Sequence, residues 1–286
     1  MLKTKIRWQI HTFCKAECSY CPGRLRGGEE PKHINDYIKV AKIINEWAES
    51  LGRITDWYFD GGEPLDTDYF PALLKECKTL NGQCDLITNG GRLWLDWWAI
   101  EPYIDRLFLS YHYWQNPSLI DYIISVFLDK EKEIHVEVPM RPNHFDEDWS
   151  RALEIEKKYN FIVGKSVLYH GASKDGGQYP YTERQLRIMS GDEYLIEENI
   201  KFQQTTVVER LHENISQSDH IYTGKLCNAG IEKLIIDTNG FVSGAYCRNQ
   251  PLGNIWNHGW LPPTSAQICT MQACLNEEDQ LITKFD

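Results

Sequence analysis

The feature that most constrains this chain is a group of three closely spaced cysteines near its amino end. They are Cys14, Cys18 and Cys21, with the spacing C-x3-C-x2-C. A loop this short can direct all three sulfurs toward one small object. Thiolates are soft ligands, and closely spaced ones are typical of zinc sites and iron–sulfur clusters. A closed structural zinc site has four protein ligands, whereas a 4Fe–4S cluster held by three cysteines keeps one iron open to another ligand.

The composition is that of an ordinary globular protein, since 42% of the 286 residues are hydrophobic and 25% are charged. That length suffices for one large domain, or for one large and one small domain. The sequence predicts neither a signal peptide nor a membrane-spanning helix. Nine cysteines without an export signal therefore indicate a cytoplasmic protein that uses thiols to bind metal. A net charge of −11 disfavours broad binding to nucleic-acid phosphates.

Up to about residue 170, short apolar runs alternate with segments of helical periodicity, which is typical of βα units and a parallel sheet. The predicted strands are 5–12, 54–59, 84–88, 106–111, 133–139 and 161–169. The predicted helices between them are 34–51, 69–80, 117–130 and 146–159. Because ligands of such folds bind at the carboxyl ends of the strands, the residues that follow each strand are the candidates for a functional site.

A glycine-rich turn follows the second predicted strand, where residues 61–64 read Gly-Gly-Glu-Pro. Glycine lets a backbone approach a ligand closely, and proline fixes the direction in which the chain leaves. By itself the segment is equally consistent with a plain connection between a strand and a helix. Residues 88–90, at the end of the third predicted strand, read Thr-Asn-Gly.

Together these residues resemble the radical S-adenosylmethionine (SAM) superfamily. The cysteine triplet, with Tyr20 before its third cysteine, resembles the cluster loop of that family, and residues 61–64 resemble its GGEP segment. The resemblance implies an α/β fold, an incomplete TIM-like (β/α)6 barrel. It also implies an enzyme whose 4Fe–4S cluster binds the amino and carboxylate groups of SAM through the open iron. An electron from the cluster then cleaves SAM to a 5′-deoxyadenosyl radical, which abstracts a hydrogen atom from the substrate.

The resemblance further implies a SAM site at the strand ends. The residues of this implied site are Tyr20, Gly61, Gly62, Glu63, Pro64, Thr88, Asn89, Ser110, Glu137 and Arg141. Alternatives stay open for some of them, because residues 88–90 also suit a helix-capping turn, and Glu137 and Arg141 also suit a solvent-exposed pair. The catalytic candidates are His112 and His170, since histidine titrates near neutral pH. The aromatic residues that follow His112 are interpreted as a packed rim.

A second group of cysteines lies toward the carboxyl end. Its members are Cys227, Cys247, Cys269 and Cys274. A hairpin is predicted between the first two, with strands 233–237 and 241–246 joined by an Asn-Gly turn. Cys77 and Cys84 are interpreted as thiols of the core, which is usual for single cysteines.

This second group resembles the twitch domain, a shortened form of the SPASM domain that carries one auxiliary 4Fe–4S cluster. The final C-x4-C is wider than the spacing often seen in that domain. The resemblance implies a core barrel at 1–215 and an auxiliary iron–sulfur domain at 216–286. The alternative is a structural zinc site with four thiolate ligands.

The sequence therefore predicts a radical SAM oxidoreductase or modifying enzyme that uses SAM and two 4Fe–4S clusters. With all four ligands supplied by the protein, the auxiliary cluster keeps an electron-transfer role or a structural one. The predicted substrate is a ribosomal peptide, or a small sugar alcohol or aminosugar, and the predicted electron donor is flavodoxin or ferredoxin. The alternatives are a nucleoside-modifying radical SAM enzyme and a non-catalytic zinc-binding module.

Overall fold

The computed structural model describes residues 2–16, 18–21, 28, 32–91, 96–170, 177–190, 222–247, 251–274 and 276–286. The domain boundary predicted at 215–216 lies outside these residues. The strands of the described ranges are β1 (Leu2–Gln9), β2 (Arg53–Asp60), β3 (Gln83–Thr88), β4 (Arg106–Ser110), β5 (Glu133–Met140), β6 (Gly164–Val167), β7 (Leu226–Cys227), β8 (Lys233–Ile236), β9 (Phe241–Ser243), β10 (Pro251–Asn254), β11 (Gln267–Ile268) and β12 (Lys284–Phe285). The helices are α1 (Ile34–Ser50), α2 (Phe70–Thr79), α3 (Trp97–Ile100), α4 (Pro117–Asp129), α5 (Phe145–Tyr159), α6 (Glu183–Ser190) and α7 (Glu277–Gln280).

Nine of these strands form one large sheet in the order β10-β9-β8-β1-β2-β3-β4-β5-β6. Strands β1 to β6 are parallel neighbours in chain order, as the alternation of strands and helices predicts. The carboxyl-terminal hairpin extends the same sheet, because β8 pairs in parallel with β1 and β9 pairs antiparallel with β8. The predicted α/β class, with a large parallel sheet of barrel-like form, is therefore confirmed. Strands β11, β7 and β12 form a separate three-stranded sheet.

One face of the large sheet packs against helices. Its side chains include Trp8 on β1 and Trp57 on β2, both fully buried, whose rings lie 5.9 Å apart. The ring of Tyr37 on α1 lies 5.6 Å from that of Trp8. Fully burying an aromatic or aliphatic side chain contributes about 1.5–3 kcal/mol, so this face anchors the strands.

The opposite face is polar, because the residues that alternate with the buried ones are mostly charged. They line a cavity of about 280 Å³, which we call the polar cavity. Its lining residues are Lys5, Arg7, Asp56, Tyr58, Asp85, Arg106, Phe108, Lys233, Tyr246 and Glu278. The interior of a closed (β/α)8 barrel is filled by apolar side chains, whereas this cavity is lined by charged ones, among which Arg106 pairs with Asp85 and Lys233 with Glu278.

Two predicted strands differ from the structure. The first was expected at 5–12, but β1 ends at Gln9, because the carbonyls of His11 and Phe13 accept hydrogen bonds from the turn after β2 and not from a strand ladder. The sixth was expected at 161–169, but β6 begins at Gly164, since the N–H of Val163 donates to the carboxylate of Glu156 on α5.

Other parts of the carboxyl-terminal half were not predicted. Helix α6, strand β10 and the small three-stranded sheet were missed, and the second hairpin strand is shorter than the expected 241–246. Within the described ranges, none of the helices has the length and hydropathy of a membrane-spanning segment.

Candidate cofactor sites

The three amino-terminal cysteines lie on a loop, described at residues 11–16 and 18–21, that we call the cysteine loop. Backbone bonds hold it to the turn after β2, since the N–H of Gly62 donates to the oxygen of His11 at 2.7 Å and that of Glu63 to the oxygen of Phe13 at 2.8 Å. The N–H of Lys15 donates to the carboxylate of Asp66 at 2.7 Å. These bonds fix the loop at the carboxyl ends of β1 and β2, where ligands of parallel folds bind.

The two glycines of this turn are explained by its contact with the cysteine loop. A Cβ on Gly62 would lie 2.0 Å from the oxygen of Phe13, and one on Gly61 would lie 2.7 Å from the oxygen of His11. Gly61 also has a φ of 133°, which favours glycine. The sequence predicts close approach to a ligand here, and the structure adds close approach to another protein loop.

Glu63 joins the turn after β2 to the end of β3. It is fully buried, and its carboxylate accepts hydrogen bonds from the N–H of Leu65 at 3.0 Å, the hydroxyl of Thr88 at 2.5 Å and the N–H of Asn89 at 2.7 Å. Burial raises the pKa of Glu63 to about 7, against the opposing effect of these donors. Its neighbour Pro64 begins a short 3-10 turn. Glu63 and residues 88–90 therefore join the ends of β2 and β3, and we call this contact the clasp.

Residues 88–90 form a turn that is closed by its own side chains. The N–H of Gly90 donates to the hydroxyl of Thr88, and the N–H of Gly91 donates to the side chain of Asn89. The next described helix, α3, begins at Trp97 and is capped by Asp96.

The thiols of the cysteine loop are suited to bind a soft metal group. Cys18 is buried, and Cys14 and Cys21 are half-buried. The N–H of Cys21 donates to the oxygen of Cys18 at 3.0 Å, which folds the loop into a tight turn. Burial raises the pKa of Cys14 to about 12, so a thiolate at this place needs a bound cation to stabilise it.

An aromatic stack covers one side of this loop. The ring of Tyr20 stacks on His112 at 5.9 Å, and His112 stacks on Trp114 at 5.7 Å. The hydroxyl of Tyr20 is hydrogen-bonded to Nδ1 of His112, and the indole N–H of Trp114 lies 3.4 Å from the sulfur of Cys18 as its donor. Burial lowers the pKa of His112 to about 4, so this imidazole is neutral at physiological pH.

Of the remaining residues predicted to bind SAM, Ser110 and Glu137 are neighbours in the sheet, and Arg141 contacts other groups. Ser110 ends β4 and is the register partner of Glu137 on β5. Arg141 does not pair with Glu137. It binds the buried carboxylate of Asp148 at 2.9 and 2.8 Å and lies over the ring of Tyr113 at 4.0 Å.

The two histidine candidates separate in the structure. His112 contacts the cysteine loop, as described above. His170 instead stacks on Tyr179 at 4.1 Å, and its N–H donates to the oxygen of Gly177. Its described contacts are thus with the segment that follows β6.

The four carboxyl-terminal cysteines line a single cavity, which we call the thiol cavity. Its lining residues are Cys227, Ala229, Gly244, Ala245, Cys247, Leu252, Gln267, Cys269, Met271, Cys274, Asp279 and Ile282. Burial raises the pKa of Cys227 and of Cys274. Cys77 and Cys84, in contrast, are fully buried in the large hydrophobic core, as predicted. Four soft ligands around a mostly apolar space fit a metal group held entirely by thiolates.

Neither cysteine group, in the described part of the chain, brings three His, Cys, Asp or Glu side chains close enough together to hold one metal ion.

Three contacts of these sites were missed from the sequence. Trp114 was assigned to a packed rim, yet it donates to Cys18. Asp279 is 1% exposed and accepts from the N–H of Cys247 at 3.0 Å, while the ammonium of Lys233 lies 3.3 Å from its other oxygen. Nothing in the local sequence distinguishes Asp279 from the neighbouring acidic residues.

No protein-family model matches this chain, and no curated protein matches it. Its structure is similar to solved structures of radical SAM enzymes. SuiB of Streptococcus suis superposes with a TM-score of 0.53 at 17% identity, over 91% of this chain and 65% of SuiB. The structure of anSMEcpe with bound AdoMet superposes with a TM-score of 0.51 at 16% identity, over 89% of this chain and 77% of anSMEcpe. At these identities the likeness establishes the fold, so this chain has the fold of radical SAM enzymes.

Proposed function

We propose that this chain is a radical SAM enzyme whose cysteine loop binds a 4Fe–4S cluster through Cys14, Cys18 and Cys21. The observation that carries the proposal is the position of these thiols. They lie at the carboxyl end of a parallel sheet, on a loop fixed by backbone bonds to Gly62 and Glu63. When bound, the cluster supplies the electron that cleaves SAM to a 5′-deoxyadenosyl radical, which abstracts a hydrogen atom from the substrate.

We assign SAM to the space bounded by the ends of β2, β3 and β4. Residues 61–64, Thr88, Asn89 and Ser110 lie at these neighbouring strand ends. The carboxylate of Glu63 is occupied by its three protein donors. The protein groups near SAM are therefore mainly backbone and hydroxyl groups, which can orient a ligand without adding a charge.

We assign the substrate to the carboxyl-end mouth of the sheet beside the SAM site, because a reactive radical needs its target fixed and water excluded. The polar cavity lies below this mouth, mainly among the amino-terminal halves of the parallel strands. Solved structures of similar fold contain peptides, since anSMEcpe is bound to the Cp18Cys peptide and SuiB to its precursor peptide SuiA. These likenesses favour a peptide substrate over a sugar alcohol, an aminosugar or a nucleoside.

We assign the thiol cavity to an auxiliary 4Fe–4S cluster that takes or relays the second electron. This assignment makes residues 216–286 the part that carries the auxiliary cluster, with its hairpin paired to β1 of the SAM-binding core at 1–215. The four thiols at one cavity support it. A reduced flavodoxin or ferredoxin would supply the first electron. The use of thiols as ligands suits the reducing cytoplasm.

The test is anaerobic reconstitution followed by counts of iron, sulfide and zinc. The proposal expects iron for two clusters, about eight atoms per chain, and formation of 5′-deoxyadenosine from SAM on addition of dithionite. Deuterium transfer into 5′-deoxyadenosine from deuterated candidate peptides then identifies the substrate. Zinc at both cysteine groups would overturn the proposal and leave the zinc-binding module. Iron-loaded protein that never cleaves SAM would also overturn the proposal.

A further inference from the structure

A thin wall separates the polar cavity from the thiol cavity. Consecutive residues of this wall face different cavities, since Tyr246 and Glu278 line the polar cavity while Cys247 and Asp279 line the thiol cavity. Lys233, at the start of β8, also lines the polar cavity. The two spaces are thus separated by little more than one residue.

A buried ion pair crosses this wall. The ammonium of Lys233 lies 3.3 Å from one oxygen of Asp279, and the other oxygen accepts from the N–H of Cys247 at 3.0 Å. The side chains of Lys233 and Asp279 are 5% and 1% exposed. The same ammonium also binds Glu278 at 2.8 Å and lies 3.9 Å above the ring of Tyr246.

This pair is costly to bury, and its two members line different cavities, Asp279 the thiol cavity and Lys233 the polar cavity. Burying two charges is expensive, and a buried ion pair is often no more stable than apolar side chains of the same size. Asp279 is the charged side chain among the described residues that line the thiol cavity, and the ammonium of Lys284 contacts the thiol of Cys274 from outside that lining. A role beyond stability therefore accounts best for the burial of Asp279 beside these thiols.

We propose that Asp279 and Lys233 set the reduction potential of the auxiliary cluster, with effects of opposite sign. This inference rests on the proposed cluster in the thiol cavity. Charge and hydrogen bonding around an iron–sulfur cluster determine its potential, and a buried charge acts strongly because the surroundings screen it weakly. The carboxylate of Asp279 disfavours an added electron and lowers the potential. The ammonium of Lys233 offsets that charge and raises the potential.

The test uses the full chain with Cys14, Cys18 and Cys21 changed to Ala, so that only the auxiliary cluster titrates. Anaerobic redox titration followed by electron paramagnetic resonance gives its midpoint potential. We expect Asp279→Asn to raise the potential and Lys233→Met to lower it. Each change should shift the reduction equilibrium about tenfold, which corresponds to about 59 mV for one electron.

Two further variants separate charge from structure. Lys233→Arg keeps the charge, so its cluster should have the potential of the original protein. This variant also provides a measurement if Lys233→Met does not fold. Glu278→Gln removes the other carboxylate on the same ammonium, but Glu278 is 55% exposed and faces the polar cavity. Water screens it, so its shift should be much smaller than that of Asp279→Asn.

A purely structural role for Asp279 would lower the iron content without shifting the potential of the iron that remains. Shifts of the same sign in Asp279→Asn and Lys233→Met, or no shift in either, overturn the proposal. Metal analysis before the titration tests separately whether the thiol cavity holds an iron–sulfur cluster. Zinc in that cavity would overturn both the assignment of the auxiliary cluster and this inference. Cleavage of SAM by the unmodified chain would still stand in that case.

Discussion

The two cysteine sites are built in different ways. In the cysteine loop, three ligands lie within eight residues, and backbone bonds tie that loop to a nine-stranded sheet. In the thiol cavity, the ligands come from separate segments between 227 and 274, beside strands β7, β11 and β12 of two residues each. The first site is therefore held in place by contacts with the sheet. In the described part of the chain the second site is framed by short strands, so we expect bound metal to contribute much of its folding free energy.

The largest expected effect separates the two sites by function. Cys18→Ala should abolish formation of 5′-deoxyadenosine and remove half of the iron, because its thiolate is one of only three protein ligands. Cys269→Ala should also remove half of the iron, yet the protein should still cleave SAM in the absence of substrate. Iron analysis and chromatography of the products check both outcomes.

A third buried cysteine provides the control for this pair. Cys77 is fully buried in the large core and lies outside both sites. Cys77→Ala should cost about 1–2 kcal/mol of stability, with the iron content and SAM cleavage unchanged. If Cys18→Ala behaves like Cys77→Ala, the cysteine loop is not the SAM-binding site.

The contact between the cysteine loop and the turn after β2 is tested by Gly62→Ala. The new Cβ would lie 2.0 Å from the oxygen of Phe13, so the turn and the loop must move apart. Overpacking of this kind costs about 3 kcal/mol, and SAM binding should weaken with it. Gly52→Ala is the matched control, because Gly52 has a φ of 69° but open space around it. It should cost about 1–2 kcal/mol for the left-handed conformation and leave SAM binding unchanged. Urea unfolding and SAM titration measure the two quantities.

The clasp at Glu63 predicts a pH dependence of stability. Burial raises the pKa of Glu63 to about 7 in the folded protein, against an ordinary value of 4.5. Between these pH values the folded state keeps a proton that the unfolded state releases. This group therefore favours folding most at low pH, and its contribution falls as pH rises through 7, by up to about 3 kcal/mol.

Glu63→Gln removes this dependence because an amide does not titrate in this range. As pH rises from 5 to 8, the original protein should lose unfolding free energy relative to Glu63→Gln. Urea unfolding at several pH values measures it. A difference that stays constant over this range would show that Glu63 remains ionised in the fold.

Much of the first site could be predicted from sequence because its determinants are local. The C-x3-C-x2-C spacing, the Gly-Gly-Glu-Pro turn and the alternation of strands and helices can each be recognised within short segments. Strands β2 to β5 match their predicted positions closely. The end of β1 was misplaced because the apolar run continues through Ile10, whereas the backbone after Gln9 bonds to the neighbouring turn.

The second site could be predicted only as a set of ligands. That Cys227 and Cys274 share a cavity depends on chain packing over many residues, which no local spacing reveals. The ion pair between Lys233 and Asp279 joins residues 46 apart, and the contact of Trp114 with Cys18 joins residues 96 apart. Contacts of such separation follow from the tertiary fold, so the groups that tune both sites stayed hidden in the sequence.

The smallest expected effect concerns Trp114. We expect its indole N–H to influence the reduction potential of the cluster in the cysteine loop, as we propose for Asp279 and Lys233 in the thiol cavity. Its indole N–H lies 3.4 Å from the sulfur of Cys18, and hydrogen bonds to cluster sulfurs raise the reduction potential. Trp114→Phe keeps an aromatic ring beside His112 but loses this donor, at a cost of about 1 kcal/mol. The potential of the SAM-binding cluster should fall by about 40 mV, since 59 mV corresponds to a tenfold change for one electron. Redox titration in the Cys269→Ala background isolates this cluster. Trp98→Phe, at an exposed tryptophan of α3, should leave the potential unchanged, and equal potentials in the two variants would show that Trp114 only packs against the loop.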